Sequence, residues 1–322
     1  MVSIIIPVYN EAQQIRESLL KIDGLLKKSG INREFILVDD GSRDDTWRII
    51  TEANSEIPGL RAIRFSRNFG KEAALCAGLE RANGDACLII DADLQHPPEL
   101  IPEMVRLWRE EGFEIVEAVK ASRGKESFLH KLCAVSFYRI LRMFSGIDLD
   151  KASDFKLLDA KVVAAWREMG ERNTFFRGMV AWVGFKSAVI PFEVGQRTHG
   201  SSKWSNLKLI KLAVNAITSF SSLPLQVVTF LGVVFFIGSI ILGAQTLYMK
   251  FSGIAVSGFT TVILLQLIIG GCLMICLGII GTYIAKIFDE VKGRPRYIVS
   301  ETLNLNQEAA SRSNAGVKYR TV

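Results

Sequence analysis

Apolar and polar positions alternate in a regular way along the first third of the chain. Short apolar runs are each followed by a polar turn and an amphipathic stretch. The apolar runs predict strands at residues 2–8, 35–38, 60–65 and 86–90, and the amphipathic stretches predict helices near 11–29, 44–54, 71–82 and 98–111. Strands that alternate with helices are typical of crossover connections. We therefore predict an α/β domain with a mainly parallel sheet, whose most apolar strands are buried on both faces.

Two acidic residues follow the fourth apolar run. Asp91 and Asp93 lie two positions apart, so their side chains point the same way and can converge on one hard cation such as Mg²⁺ or Mn²⁺. The simpler alternative is a turn residue followed by a helix cap, because Asp-x-Asp is a short and common pattern. The spacing alone leaves both interpretations open.

Polar side chains also follow the other three predicted strands. Because the carboxyl ends of parallel strands meet at one edge of a sheet, these turns share a crevice with the acidic pair. They contribute Tyr9 and Glu11 after the first strand, Asp39 and Asp40 after the second, and Lys71 beside Gly70 after the third. Carboxylates, a cation site and a basic turn with a glycine suit a nucleotide diphosphate.

The middle of the chain is less regular and carries a basic cluster. A predicted strand at 113–119 is followed by Lys120, Arg123 and Lys131. Such a cluster is either a solvated face or a binding site for a phosphate or a lipid headgroup. The sequence does not separate these alternatives.

Two further polar features precede the apolar final third. Asp154 enters an otherwise apolar run, either as a cap or as a placed catalytic group. A polar loop at 193–204 contains Arg197, Ser202 and Lys203. The loop is a mobile linker or, as its position before apolar sequence favours, a loop that closes over a site at a membrane surface.

Two long apolar stretches without a charged residue lie at about 227–248 and 259–284. Each reaches the roughly 20 residues that a bilayer span requires, so we predict a transmembrane hairpin. An amphipathic helix at 206–222, ended by Pro224, is predicted to lie in the membrane interface, although a buried helix of a soluble domain shows the same pattern. Lysines and arginines flank the outer ends of the spans, which places the catalytic domain and both termini in the cytoplasm.

Composition narrows the class of protein. The mean hydropathy of +0.25 is high for a wholly soluble chain. The formal charge of +6 and the pI near 9.0 suit nucleic acid, anionic lipid or a phosphorylated substrate, and composition alone does not choose among them. We expect no nucleic-acid partner. The five cysteines are scattered through apolar segments, which indicates packing in a reduced compartment.

Six motifs in this order resemble the family 2 glycosyltransferases, and more narrowly the polyprenyl-phosphate type that includes bactoprenol glucosyltransferases and dolichyl-phosphate mannose synthases. The motifs lie at residues 6–11, 38–42, 66–75, 91–100, 153–158 and 197–204. The resemblance implies a GT-A fold and inverting transfer of a hexose from a nucleotide sugar to the phosphate of a membrane polyprenol. UDP-glucose and undecaprenyl phosphate are the first choices, with GlcNAc, mannose or an aminoarabinose derivative as alternative sugars. The resemblance also implies a multi-pass protein of the inner (plasma) membrane, with a homo-oligomer and a downstream flippase as further partners to consider.

Carried over by position, the resemblance assigns roles to individual residues. The nucleotide sugar is assigned to Pro7, Tyr9, Glu11, Asp39, Asp40, Lys71, Asp91, Ala92 and Gln95. A divalent metal is assigned to Asp93 and Asp91, and the candidate base is Asp154. The acceptor phosphate and its loop are assigned to Lys120, Arg123, Lys131, Arg197, Ser202 and Lys203. The segment 151–156 departs from the Asp-Ala-Gly-Asp-Phe-Arg of many relatives, and this departure bears on the identity of the sugar.

The chemistry of the acceptor limits the role of Asp154. A phosphate monoester has a second pKa near 6 and is already an anionic nucleophile at pH 7. We therefore expect Asp154 to orient the substrates or the loop more than to abstract a proton.

The predicted organisation has four segments. These are a catalytic domain at 1–204, an interfacial helix at 205–224, the transmembrane hairpin at 225–286, and a cytoplasmic tail at 287–322 that is loose from Glu301 onward. The rival interpretations are a membrane-anchored nucleotide-sugar-binding scaffold without turnover and a processive polysaccharide synthase. The complete acidic crevice disfavours the first rival, and the small number of spans disfavours the second.

Overall fold

The structure is a computed structural model that describes residues 1–120, 153–172, 175–192, 218, 222–253 and 258–305. The chain divides into two compact units. The first consists of Met1–Arg142, Ile147–Lys203 and Pro295–Val322, and the second of Met143–Gly146 and Trp204–Arg294.

The first unit follows the predicted alternation of strands and helices. Its strands are β1 (Val2–Val8), β2 (Arg33–Asp39), β3 (Leu60–Phe65), β4 (Ala86–Ile89), β5 (Ile115–Lys120), β6 (Lys156–Asp159), β7 (Ser187–Phe192) and β8 (Val299–Leu303). Its helices are α1 (Ile15–Lys28), α2 (Thr46–Ala53), α3 (Lys71–Arg81), α4 (Ile101–Glu111), α5 (Ala160–Glu168) and α6 (Phe176–Trp182), with a 3₁₀ turn at Pro98–Leu100. All the predicted strands and helices of the first 120 residues are therefore confirmed, with ends shifted by a few residues.

The described strands form one sheet in the order β7-β5-β6-β4-β1-β2-β3-β8. The pairs β1–β2, β1–β4, β2–β3 and β5–β7 are parallel, whereas β6 runs antiparallel to both β4 and β5. Ile4, Ile5 and Ile6 of the central strand β1 are fully buried, as expected for a strand covered on both faces. The predicted α/β fold with a mainly parallel sheet is confirmed.

Close packing of α3 on the sheet depends on a glycine. A Cβ atom added to Gly78 would lie 2.4 Å from Cγ2 of Ile5 in β1. The missing side chain therefore lets the helix that begins at Lys71 approach the central strand.

Strand β8 overturns the prediction of a loose tail for residues 301–303, whereas residues 306–322 lie outside the described part of the chain. Strand β8 pairs antiparallel with β3, and Arg64 lies opposite Glu301. Just before it, the Tyr297 ring stacks on Phe65 with the ring centres 4.7 Å apart. The prediction failed because the strand contains few apolar residues and its partner lies more than 200 positions away in sequence.

The described part of the second unit contains two long apolar helices, α7 (Leu223–Phe251) and α8 (Phe259–Val291). Each helix contains an 18-residue segment of strongly apolar composition, and none of the residues in either segment is buried. At about 1.5 Å per residue α7 is about 43 Å long, enough to cross the roughly 30 Å of bilayer hydrocarbon. Both predicted spans lie within these helices, which fit a hairpin.

The predicted interfacial helix falls almost entirely outside the described residues. Pro224, the predicted end of that helix, occupies the first turn of α7. Proline is well tolerated there because the first turn of a helix leaves its N–H groups unpaired.

Candidate active site

A cavity of about 430 Å³ opens at the carboxyl ends of the central strands. Its wall contains eight of the residues assigned to the donor and the metal, and these are Pro7, Tyr9, Glu11, Asp40, Lys71, Asp91, Ala92 and Asp93. Asn68 and Gly70, from the turn after β3, also line the cavity, as do Val8 and Ala74. The four turns that the sequence pattern placed at one sheet edge therefore converge on one cavity.

Two carboxylates shape the turns around this cavity. The fully buried Asp39 accepts the backbone N–H of Ser42 through Oδ1 at 2.9 Å. Asp40 accepts the N–H groups of Phe69 at 2.6 Å and Gly70 at 2.9 Å. Burial raises the pKa of both carboxyls, and these hydrogen bonds oppose the rise. Asp40 thus ties the turn after β2 to the turn after β3.

Two of the residues assigned to the nucleotide sugar, Asp39 and Gln95, do not line the cavity. Asp39 lies beneath the turn that carries Asp40. The backbone N–H of Gln95 donates to Oδ1 of Asp93 at 3.1 Å, which fixes the turn after β4.

Lys71 links two of the acidic residues. Its Nζ lies 2.6 Å from Oδ1 of Asp91 and 2.8 Å from Oδ2 of Asp154. Lys71 begins α3 directly after Gly70, whose φ of +100° is a backbone conformation that favours glycine. The turn geometry therefore aims the ammonium group into the crevice.

Asp154 is the most heavily paired carboxylate of the site. Besides Lys71 it accepts Nε of Arg177 at 2.6 Å and an Arg177 terminal nitrogen at 3.0 Å. Burial opposes ionisation, but Arg177 and Lys71 outweigh it and hold the pKa of Asp154 well below its usual range. Asp154 precedes strand β6, so the helix-cap alternative does not apply.

A buried ion pair braces the segment that carries Asp154. Lys156 is 2% exposed, and its Nζ lies 3.1 Å from Oε1 of Glu117 on the neighbouring strand. The same carboxylate accepts the backbone N–H of Ser153. Glu117 therefore fixes the backbone on both sides of Asp154.

Sequence patterns did not single out Arg177 and Glu72. Oε2 of Glu72 accepts the backbone N–H of Phe176 at 2.7 Å, which ties the start of α6 to α3. Burial raises the pKa of Glu72 to about 7. The sequence feature that could have identified Arg177 is its position as the one charged residue in the apolar stretch 175–182. Its partner Asp154 lies more than 20 residues away, so no local pattern connects the two.

The acidic side of the cavity suits a divalent cation. Burial raises the pKa of Glu11, and the charges of Asp93 and Asp91 add to the rise, against a hydrogen bond from Gln14. Within the described residues no three His, Cys, Asp or Glu side chains are arranged to hold a metal by themselves. Mg²⁺ is usually held by one or two carboxylates together with substrate phosphates, so Asp93 and Asp91 fit a cation that binds with a diphosphate.

Most residues assigned to the acceptor lie outside the described part of the chain. These are Arg123, Lys131, Arg197, Ser202 and Lys203. Lys120 is the last residue of β5, and the structure describes its backbone but not its side chain. Their roles remain predictions.

The sequence profile described as glycosyl transferase family 2 matches residues 3–165, about half of the chain. This chain belongs to glycosyl transferase family 2. The glycosyltransferase is 38% identical to the uncharacterized glycosyltransferase YkcC of Bacillus subtilis, over 95% of each chain. It is 35% identical to the prophage bactoprenol glucosyl transferase homolog of Escherichia coli, over 92% of this chain and 98% of the relative. Among solved structures it is similar to mannosyl-3-phosphoglycerate synthase from Rubrobacter xylanophilus, with 17% identity, a TM-score of 0.48, and coverage of 67% of this chain and 71% of the other.

Proposed function

We propose that this glycosyltransferase transfers glucose from UDP-glucose to the phosphate of undecaprenyl phosphate, with inversion at the sugar. The observation that carries the proposal is the cavity lined by Lys71 and Asp91, which form an ion pair, with Asp154 held against Lys71 beside it. Near-full-length similarity to proteins named bactoprenol glucosyl transferase and two apolar helices of membrane-spanning length support the choice of acceptor.

The donor diphosphate is assigned to the acidic and basic groups at the sheet edge. Asp93, with Asp91, would hold a divalent cation, which when bound neutralises charge on the departing diphosphate. Lys71 adds a fixed positive charge at the same edge. Tyr9, which is 41% exposed, and Asp40 form the part of the wall proposed for the nucleoside.

The acceptor requires positioning more than activation. Its phosphate monoester is already largely ionised at pH 7, and the low pKa of Asp154 makes that carboxylate a weak base. Asp154 instead holds Lys71 and Arg177 in place, so that two cations face the region where sugar and phosphate must meet.

Membrane anchoring follows from the acceptor's chemistry. Removing a polyprenol from the bilayer costs about 0.8 kcal/mol for each CH₂ group, so the enzyme has to work at the membrane surface. The charges that flank the apolar helices favour a multi-pass protein of the plasma membrane with its catalytic domain and both termini in the cytoplasm. The lipid-linked sugar would then need a flippase before use on the other face.

The test is a donor panel on the full-length protein purified in detergent. UDP-glucose, UDP-GlcNAc, GDP-mannose and a UDP-aminoarabinose derivative, each radiolabelled, are incubated with undecaprenyl phosphate and Mg²⁺ or Mn²⁺. We expect a labelled lipid product with UDP-glucose that is lost on chelation. A product with another sugar alone would overturn the choice of glucose, and no lipid product with any donor would overturn the proposed reaction.

A further inference from the structure

We propose that Glu301, which follows the two apolar helices in sequence, is a positioning residue for nucleotide-sugar binding and acts through Arg64. The inference rests on the proposed function, because it concerns the affinity of the same cavity for its donor. Glu301 belongs to β8, a segment for which the sequence pattern predicts no fixed structure.

The contact is direct and specific. Glu301 lies opposite Arg64 in the β3–β8 ladder, and its Oε1 accepts a terminal nitrogen of Arg64 at 2.7 Å. Its other oxygen accepts Nε1 of Trp47 at 2.9 Å. One carboxylate therefore fixes the direction of the arginine side chain and contacts α2 as well.

Arg64 passes this constraint to the turn after β2. Its second terminal nitrogen donates to the carbonyl of Ser42 at 3.2 Å, and its Nε lies 3.5 Å from Oδ2 of Asp39. Asp39 is fully buried, and this oxygen accepts no hydrogen bond from the described residues. The charge of Arg64 therefore compensates a buried carboxylate whose own pKa is raised by burial.

The turn held in this way forms part of the cavity wall. Ser42 accepts the backbone N–H of Asn10 through Oγ at 2.9 Å, so the turns after β1 and β2 are joined. Asp40 lines the cavity and holds the N–H groups of Phe69 and Gly70. Removing the contact that holds the Arg64 side chain should therefore disturb the part of the cavity wall proposed to bind the nucleotide sugar. The surroundings of Asp154, which we assign to the acceptor, should be unchanged.

The experiment compares a substitution of Glu301 with a substitution of Trp47, the partner of its second carboxylate oxygen. Glu301→Ala removes both contacts of the carboxylate, with Arg64 and with Trp47, whereas Trp47→Phe removes only the contact with Trp47. Steady-state kinetics are measured on the full-length protein in detergent, with UDP-glucose and undecaprenyl phosphate varied in turn. Because the ion pair is partly exposed, we expect Glu301→Ala to raise the KM for UDP-glucose about two- to fivefold, with kcat and the acceptor KM within about twofold. Trp47→Phe should match the parent protein.

A double-mutant cycle distinguishes positioning from loss of the strand. Arg64→Gln should raise the donor KM by more than Glu301→Ala, and Glu301→Ala should add nothing in the Arg64→Gln background. Asn304→Ala removes a different contact of the β8 end, with Asn54 and the carbonyl of Leu60, and should leave the donor KM unchanged. An unchanged donor KM in Glu301→Ala, equal changes in Asn304→Ala, or additive effects in the cycle would each overturn the proposal.

A second readout does not depend on turnover. Hydrogen–deuterium exchange of the full-length protein should show faster exchange at the amides of Ser42, Phe69 and Gly70 in Glu301→Ala and not in Trp47→Phe. Absence of this difference would count against the inference alone. Absence of any lipid product from the parent protein would count against the proposed function instead.

Discussion

Asp154→Asn tests whether the central carboxylate orients charged groups or abstracts a proton. The substitution keeps the shape of the side chain and removes its charge. Three charge-assisted hydrogen bonds are affected, from Lys71 at 2.8 Å and from Arg177 at 2.6 and 3.0 Å. Hydrogen bonds to charged groups contribute about 1.5–3 kcal/mol each. Because both cations are partly exposed, we expect the substitution to reduce the stabilisation of the transition state by about 3 kcal/mol in total. That corresponds to about a 100-fold decrease in kcat.

The pH dependence separates the two roles. Arg177 and Lys71, acting against burial, hold the pKa of Asp154 well below its usual range, so this carboxylate stays ionised throughout the assay range. The second pKa of the acceptor phosphate, near 6, should therefore set the acidic limb of kcat/KM. Asp154→Asn should lower the whole profile without moving that limb.

The assay is transfer of labelled sugar to undecaprenyl phosphate between about pH 5 and 9, the range that includes the acceptor's second pKa. An acceptor phosphonate with a higher second pKa should shift the limb upward in both the parent protein and Asp154→Asn. If the limb disappears in Asp154→Asn, or stays fixed when the acceptor is changed, the carboxylate is a general base and the orienting role is refuted.

Three further predictions concern other groups of the first unit. Burial raises the pKa of Glu72 from an ordinary 4.5 to about 7, so this carboxyl ionises less readily in the folded state than in the unfolded state. The free energy of unfolding should therefore fall by at most about 3 kcal/mol as pH rises from about 5 to 7. Glu72→Gln, which keeps an acceptor for the Phe176 amide, should remove that fall in thermal unfolding scans in detergent; an unchanged pH dependence would contradict the assignment. Asp93→Ala should abolish metal-dependent transfer and weaken Mn²⁺ binding in the presence of UDP, measured by calorimetry, whereas metal-dependent activity close to that of the parent would exclude Asp93 as a ligand. Gly78→Ala should destabilise the fold by about 1–3 kcal/mol because its Cβ would meet Ile5, and the control Gly24→Ala, with nothing within 4 Å in α1, should be neutral or stabilising.

The parts of the fold that were predictable are those encoded by local pattern. The apolar runs of β1 to β4 and the turns that follow them identified the sheet and most of the cavity wall. The unpredicted parts depend on contacts between distant positions, such as Lys71 with Asp154 and Arg64 with Glu301, which lie 83 and 237 residues apart. The spacing of apolar and polar residues does not identify such a pair, because in the sequence each partner resembles an ordinary charged residue of the surface.

The arrangement of charge explains why a site proposed for phosphates contains a largely buried carboxylate between two cations. Lys71 and Arg177 would repel each other if Asp91 and Asp154 did not compensate their charges. We interpret the carboxylates as holding both cations in position until the donor diphosphate and the acceptor phosphate arrive as competing partners. On this interpretation Asp154 is needed for its charge and its placement, which is why a strongly lowered pKa, unsuited to a base, is compatible with a central role in transfer.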